Sequence, residues 1–277
     1  MPAHFRRIGK IGLAARKLLR FSGAFVDLFF PRNCVVTGEA LGGNNSELVS
    51  ATAVAKLHFI NCHKTCRLCG GISVDGDNEI CPHCLEHGKD FRFGCSRSAV
   101  VFDKFSRPIV HALKYHYAKK IARDIALLSQ HSRGFYEHMA NAILIPVPLH
   151  TSRLRKRGYN QSLFLAREFA KFAPGAVVDE KLLTRERSTL TQTQLDIGRR
   201  RENVRGAFRV SHRENVNPKA RYVLIDDVFT TGATLSECAR ALRQAGAISI
   251  DAATFARAEA GATAMASTQN FSHDDNG

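Results

Sequence analysis

"YVLIDDVFTTGATL", residues 222–235, runs an apolar strand into two adjacent carboxylates and then into a turn of small, hydroxyl-bearing residues. The continuous apolar run at 222–225 is what a central strand buried on both faces requires. Asp226 and Asp227 therefore fall at its carboxyl end, the edge at which open α/β sheets bind ligands. Thr230, Thr231, Gly232, Ala233 and Thr234 follow, opening a helix expected to start near Leu235. Small residues at a helix N-terminus expose backbone N–H groups, and the Thr hydroxyls add donors. With the helix dipole this makes a seat for phosphate. Two carboxylates beside that seat cannot want the same phosphate. They can accept hydrogen bonds from vicinal hydroxyls, or ligate Mg2+. Diol and phosphate side by side describe a ribose 5-phosphate.

Outward from this stretch the chain alternates strands and helices. "SAVVF", "AILIPVP", "GAFRV" and "ISIDAATFA" read as strands; "RPIVHALKYHYAKKIARDIALLSQ", "QSLFLAREFAKF" and "TLSECARALRQAGA" have helical spacing. Gly246 is placed to end the last helix. The alternation predicts an α/β fold, a mostly parallel sheet with helices on both faces. Four divisions are expected: a basic amphipathic helix at 1–30, a cysteine-rich module at 31–96, the α/β domain at 97–258 and a disordered polar tail at 259–277.

The chain carries 40 Lys/Arg against 25 Asp/Glu, a net charge of +15 over 277 residues. More than half of that excess lies in residues 151–210, with 14 Lys/Arg and 6 Asp/Glu. Such a field favours a polyanion, either a pyrophosphate-bearing ligand or a nucleic acid; the alternative is a solvated basic face. No run reaches the roughly 18 apolar residues of a membrane span. The N-terminus lacks a continuous apolar stretch followed by a cleavage site, so no secretory signal is expected. The eight cysteines then point to a reducing compartment, with the cytoplasm as the default.

Cys66 and Cys69, then Cys81 and Cys84, form two C-x-x-C knuckles. Each knuckle can offer two thiolates to one ion, and two knuckles complete the tetrahedron Zn2+ prefers. Four protein ligands leave no position for water, so the expected role is structural. Gly70 and Gly71 let the backbone turn beside the first knuckle, and "ISVDGDNEI" reads as a hairpin turning near Asp75-Gly76. A disulfide pair is the competing reading. His63, His83 and His87 are expected to be surface residues, and Cys62 a bystander. Cys34 and Cys95 stand alone, and Cys238 reads as a buried apolar residue.

The 222–235 stretch resembles the phosphoribosyl diphosphate (PRPP) signature of type I phosphoribosyltransferases, departing from it at Phe229, where an aliphatic residue is usual. "HALKYHYAKKIA", "ILIPVPLHTSRLRKRGYNQSLFLAREFA", "TLTQTQL" and "RRRENVRGAF", with a cysteine module ahead of them, resemble the ComF family, which includes GntX-like proteins. The resemblance covers roughly residues 31–257. It implies a zinc ribbon preceding a type I phosphoribosyltransferase-like domain. Asp226 and Asp227 would hold the ribose hydroxyls, and Thr230, Thr231, Gly232, Ala233 and Thr234 would cradle the 5-phosphate. Pro146, Val147 and Pro148, up to His150, would form the pyrophosphate loop with Arg153 and Arg157; Arg155 and Lys156 could share that task. Gln192, Arg200 and Asn203 would lie on a loop that closes over the ligand. Lys114 and Tyr115 match a family pair to which no role is attached. Members often carry a second zinc site; here only Cys34 stands where its knuckle would be. The implied ligands are structural Zn2+ and Mg2+ with PRPP. Two functions follow: a Mg2+-dependent phosphoribosyltransferase, or a non-catalytic protein handling single-stranded DNA during competence alongside other DNA-processing proteins.

Overall fold

The computed structural model describes residues 32–41, 47–72, 80–115, 118–187 and 204–258. The expected N-terminal helix, the hairpin turn at Asp75-Gly76, the closing loop with Gln192, Arg200 and Asn203, the polar tail, and the side chains of His83 and His87 lie outside the described residues.

Seven strands are described: β1 (Ser96–Val101), β2 (Ile143–Pro146), β3 (Val177–Val178), β4 (Leu183–Arg185), β5 (Phe208–Val210), β6 (Arg221–Phe229) and β7 (Ser249–Arg257). Five of them form a sheet of order β1-β7-β6-β2-β3, with every neighbouring pair parallel. β6 is the middle strand, as its unbroken apolar run required. "GAFRV" does form a strand, β5, but it pairs antiparallel with β4 in a separate ribbon.

The described helices are α1 (Ala51–Val54), α2 (Pro82–His87), α3 (Ser106–Tyr115), α4 (Ala118–Ser129), α5 (Thr151–Arg157), α6 (Gln161–Phe169) and α7 (Ala233–Gln244). The segment read as one helical run from residue 107 thus carries two helices, α3 and α4. Residue Gly246 (φ 108°) ends α7: its N–H bonds to Arg243 O at 3.0 Å while Ala247 N–H reaches Leu242 O at 3.0 Å. These two bonds are the Schellman arrangement, which needs glycine at the left-handed position.

Alternation along β6 divides the core into two. Val223 and Ile225 pack with Leu144, Phe255 and the helices α3, α4 and α6, through Leu113, Ile121, Ile125, Leu165 and Phe169. Tyr222 and Leu224 face the other way, onto Ile145, Ala252, Leu235, Cys238 and Leu242, with α7 as the cover. Each fully buried Val, Leu, Ile or Phe among them contributes roughly 1.5–3 kcal/mol of apolar transfer. The described residues between 32 and 96 are shared between the two cores. Cys34, Leu48, Val49, Ala53 and Leu57 join the first, where the buried Asp124 of α4 accepts bonds from Glu47 N (2.9 Å) and Leu48 N (2.7 Å). Cys66, Cys69 and Cys84 join the second. No helix among the described residues is long and apolar enough to cross a membrane.

Candidate functional site

β6 delivers Asp226 and Asp227 to the carboxyl end of the sheet, and the strand continues to Phe229 before turning. A cleft of about 270 Å3 opens there. Its walls come from the end of α3, the loop after β2, α5, β4 and the start of α7. Asp227 is nearly buried, and its Oδ2 lies 2.7 Å from Lys114 Nζ at the end of α3. Oδ1 of the same residue accepts Val228 N–H at 2.9 Å. Asp226 Oδ1 accepts the hydroxyl of Ser162 at 3.0 Å and Asp227 N–H at 2.9 Å. Burial first, and the neighbouring Asp227 charge second, raise the Asp226 carboxyl from 3.8 to about 7. The raised value leaves Asp226 partly protonated near neutrality, beside the Asp227–Lys114 contact.

The turn beyond Phe229 is fixed by Gly232, whose φ of 71° is left-handed. A Cβ there would also approach ring atoms of Phe229 and Phe91 at 2.9 Å, so both backbone and space demand glycine. Gly232 is the N-cap of α7 and supplies no side-chain cap. The N-cap therefore covers none of the backbone donors of the first turn, of which Ala233 N–H meets Thr231 Oγ1 at 3.4 Å. Thr230, Gly232, Ala233 and Thr234 line the cleft; Thr231 instead faces an adjoining cavity of about 400 Å3 against Asp90, Phe91 and Arg92. The helix begins at Ala233, two residues earlier than expected.

On the opposite wall, Pro146 ends β2, and Val147 N–H prolongs the pairing to Ile225 O at 2.9 Å. Val147 and Pro148 line the cleft. Asn160 holds this loop by donating from Nδ2 to Val147 O (3.1 Å) while its Oδ1 accepts Ser162 N–H (3.1 Å) at the start of α6. His150 caps α5, its Nδ1 accepting Ser152 N–H, and Gly158 (φ 81°) closes that helix. The basic segment is thus a short helix. Helical spacing separates its charges: Arg153 and Arg157, four apart, face the cleft, whereas Arg155 and Lys156 are exposed and do not line it. Arg157 donates to Gln161 Oε1 at 2.5 Å and lies over the Tyr115 ring at 5.4 Å. Burial, with Arg157 nearby, lowers the pKa of Arg153.

Two residues of the site were not singled out from the sequence, buried Ser162, bonded to Asp226, and Arg185, which lines the cleft; nor was Gln161, which also lines it. Ser162 sits in the quoted "NQSLF" stretch but looks like any helix-start serine. Arg185 reaches the cleft from β4, a three-residue strand with no pattern to announce it. Burial lowers its pKa, with Arg153 adding like charge. Lys114 was a motif residue without a role, and its ion pair with Asp227 supplies one.

The four cysteines also come together. Cys66, Cys69, Cys81 and Cys84 each place Sγ within 4.8 Å of the others, and all but Cys81 are buried. Gly70 (φ 69°) makes the knuckle turn, donating to Cys66 O at 2.9 Å; a Cβ there would strike Ser96 O at 2.4 Å. Cys81 N–H donates to Cys66 Sγ at 3.3 Å, and Arg257 Nη2 to Cys69 Sγ at 3.1 Å. Buried sulfurs met by donors suit thiolates bound to a metal such as Zn2+. Cys238 and Cys62 are buried as expected, and Cys34 joins no candidate metal-binding group among the described residues. Cys95 does have company: its Sγ lies 3.8 Å from His138 Nδ1, near Asp251, at the amino end of the sheet. Arg221, bonded to Asp251 Oδ2 at 2.9 Å, already provides the cation there.

No family model matches the chain. It is 32% identical over 140 residues to competence protein F of Haemophilus influenzae, covering 50% of this chain and 61% of that protein. Similarity to DNA utilization protein YhgH of Salmonella typhimurium is 34% over 149 residues, 51% of this chain and 63% of the relative. YhgH of Escherichia coli matches at 28% over 191 residues, 63% and 82% respectively. The first two matches thus span about three fifths of those relatives' own lengths. These relatives bear out the resemblance to the ComF family: the chain is a homologue of competence protein F and the YhgH proteins.

Proposed function

We propose that the cleft binds a phosphorylated ribose, with PRPP and Mg2+ as the fitting ligand, in a cytoplasmic protein that serves competence and DNA uptake. One observation carries the ligand reading: an acid pair on the central strand faces the open first turn of α7 across a cleft whose other wall bears Arg153, Arg157 and Arg185. The carboxylates suit vicinal hydroxyls, the turn suits a 5-phosphate, and the guanidinium groups suit pyrophosphate. Bound Mg2+ would supply charge neutralisation of the pyrophosphate. In a phosphoribosyl transfer, negative charge grows on departing pyrophosphate, and Arg153, Arg157 and Arg185 are the residues to hold it. Asp226 and Asp227 would fix the sugar, and Lys114 would yield Asp227 to it. Zn2+ at the four cysteines has a structural part in this reading. The printed names of the relatives, competence protein F and DNA utilization protein, support the biological role.

A second reading, a non-catalytic binder of single-stranded DNA, draws on those names and on the basic excess of residues 151–210. Calorimetric titration separates the two. PRPP with Mg2+ should bind saturably and more tightly than ribose 5-phosphate or pyrophosphate alone. Absence of saturable heat from folded protein would reject the PRPP reading. Tight oligonucleotide binding, weakening steeply with salt, would then favour the second.

A further inference from the structure

Arg257 ends β7 and is 6% exposed, yet among the described residues no carboxylate forms an ion pair with it. Its Nη1 donates to Cys69 O and its Nη2 to Cys69 Sγ at 3.1 Å. Gly71 makes the room: a Cβ there would stand 3.0 Å from Arg257 Nη2. A buried guanidinium needs an anion. The one that faces it is the cysteine cluster, which as four thiolates around a divalent cation carries two net negative charges.

The other side of Arg257 meets Phe229, with the guanidinium 4.5 Å from the ring centroid. Phe229 in turn stands edge-on to Phe91 and Phe93, at 6.2 and 6.3 Å, both from the segment that follows the second knuckle. The rings of Phe229 and Phe91 close over Gly232 so tightly that a methyl group would not fit. Contacts therefore run without a gap from Cys69 through Arg257 and Phe229 to the turn at Gly232. Phe229 is also the residue that departs from the usual aliphatic of the PRPP signature. An aliphatic side chain has no π face to offer a guanidinium.

We propose that Arg257 is the counter-cation of a metal–thiolate centre at the four cysteines, and the positioning residue through which that centre holds the Thr230–Thr234 turn, an inference that rests on reading the cluster as a metal site and the turn as part of the ligand site. When the metal leaves, the four sulfurs take up protons and the anion that fixes Arg257 is lost; Phe229 then loses its partner, and the turn loosens. The zinc module then governs the ligand site from beneath, without contributing a side chain to the acid pair.

The test uses full-length protein and two readouts that need no turnover: zinc affinity by chelator competition, and amide hydrogen exchange in the first turn of α7. Arg257→Gln should weaken zinc binding about 10- to 100-fold, the usual range for a lost partner of a metal ligand. Arg257→Lys should restore part of it, because the charge returns. Removing zinc from wild type should speed exchange at Ala233–Ser236. Phe229→Leu should retain zinc with near-wild-type affinity while making exchange in the turn insensitive to zinc; this arm stands even if Arg257→Gln fails to fold. Wild-type protein that takes up no zinc would overturn the metal reading, and the proposal with it. A wild type that binds zinc but exchanges identically with and without it would overturn the coupling alone. Unchanged zinc affinity in folded Arg257→Gln would overturn the counter-cation role. None of these outcomes depends on PRPP, so failure of the ligand reading would show separately, as an intact turn that binds no phosphoribosyl compound.

Discussion

Replacing Asp226 by Asn should make the protein more stable above pH 7, although it removes a residue of the proposed ligand site. The folded-state carboxyl titrates near 7 rather than 3.8, so between those values the native state holds a proton that the unfolded state has released. Stability contributed by this group is therefore present at low pH and is lost as pH rises through the window from about 4 to 7. The full shift corresponds to about 4 kcal/mol at 1.36 kcal/mol per pH unit; allowing for cleft water and movement of Lys114, about 2 kcal/mol is expected. Asn keeps the acceptor that Ser162 and the Asp227 N–H use, at 3.0 and 2.9 Å, so the substitution isolates the charge. Urea unfolding of wild type and Asp226→Asn at pH 5 and pH 8 is the assay, and the difference between the two proteins cancels other titrating groups. Because pH 5 already lies above 3.8, part of the loss has occurred there, and the variant should gain about 1 kcal/mol relative to wild type on going from pH 5 to pH 8. Equal stability differences at the two pH values, or a variant weaker at pH 8 than at pH 5, would refute the reasoning.

Lys114→Met should cost about 1–2 kcal/mol in urea unfolding at pH 7.5, since it strands Asp227 at a pair only partly screened by water; paired with Asp227→Asn, the loss should shrink in a double-mutant cycle. Gly232→Ala should cost about 2 kcal/mol or more in thermal unfolding, because it combines a left-handed backbone with contacts at 2.9 Å. Arg153→Ala and Arg157→Ala should each weaken PRPP binding about tenfold in calorimetry, whereas Arg155→Ala should change it little. Cys84→Ser should lower bound zinc measured by elemental analysis and lower the melting temperature.

The middle strand and the position of its acid pair were legible in the sequence because 222–225 is apolar without interruption and sits between strand- and turn-forming residues, as a doubly covered strand requires. The knuckles were legible for a different reason: C-x-x-C spacing is a local constraint that needs no knowledge of the fold. Arg185 was not, because β4 is short and its arrival at the cleft depends on pairing with β5, more than twenty residues away. Nor could spacing choose among the four basic residues of 153–157 until α5 was seen to be helical. Ser162 and Lys114 gain their meaning from Asp226 and Asp227, which are distant in sequence; nothing local in either residue announces the contact. Phe229 reads in the sequence only as a departure from the usual aliphatic residue; its ring rests against a buried arginine and the segment that follows the second knuckle, contacts made only by the folded chain.

The most direct test of the ligand reading is calorimetric titration of PRPP with Mg2+ into wild type beside the Asp226→Asn/Asp227→Asn double variant, with circular dichroism to verify that both are folded. Saturable binding to wild type that disappears in the folded variant is the result predicted here. Equal binding to both, or none to wild type, would contradict it.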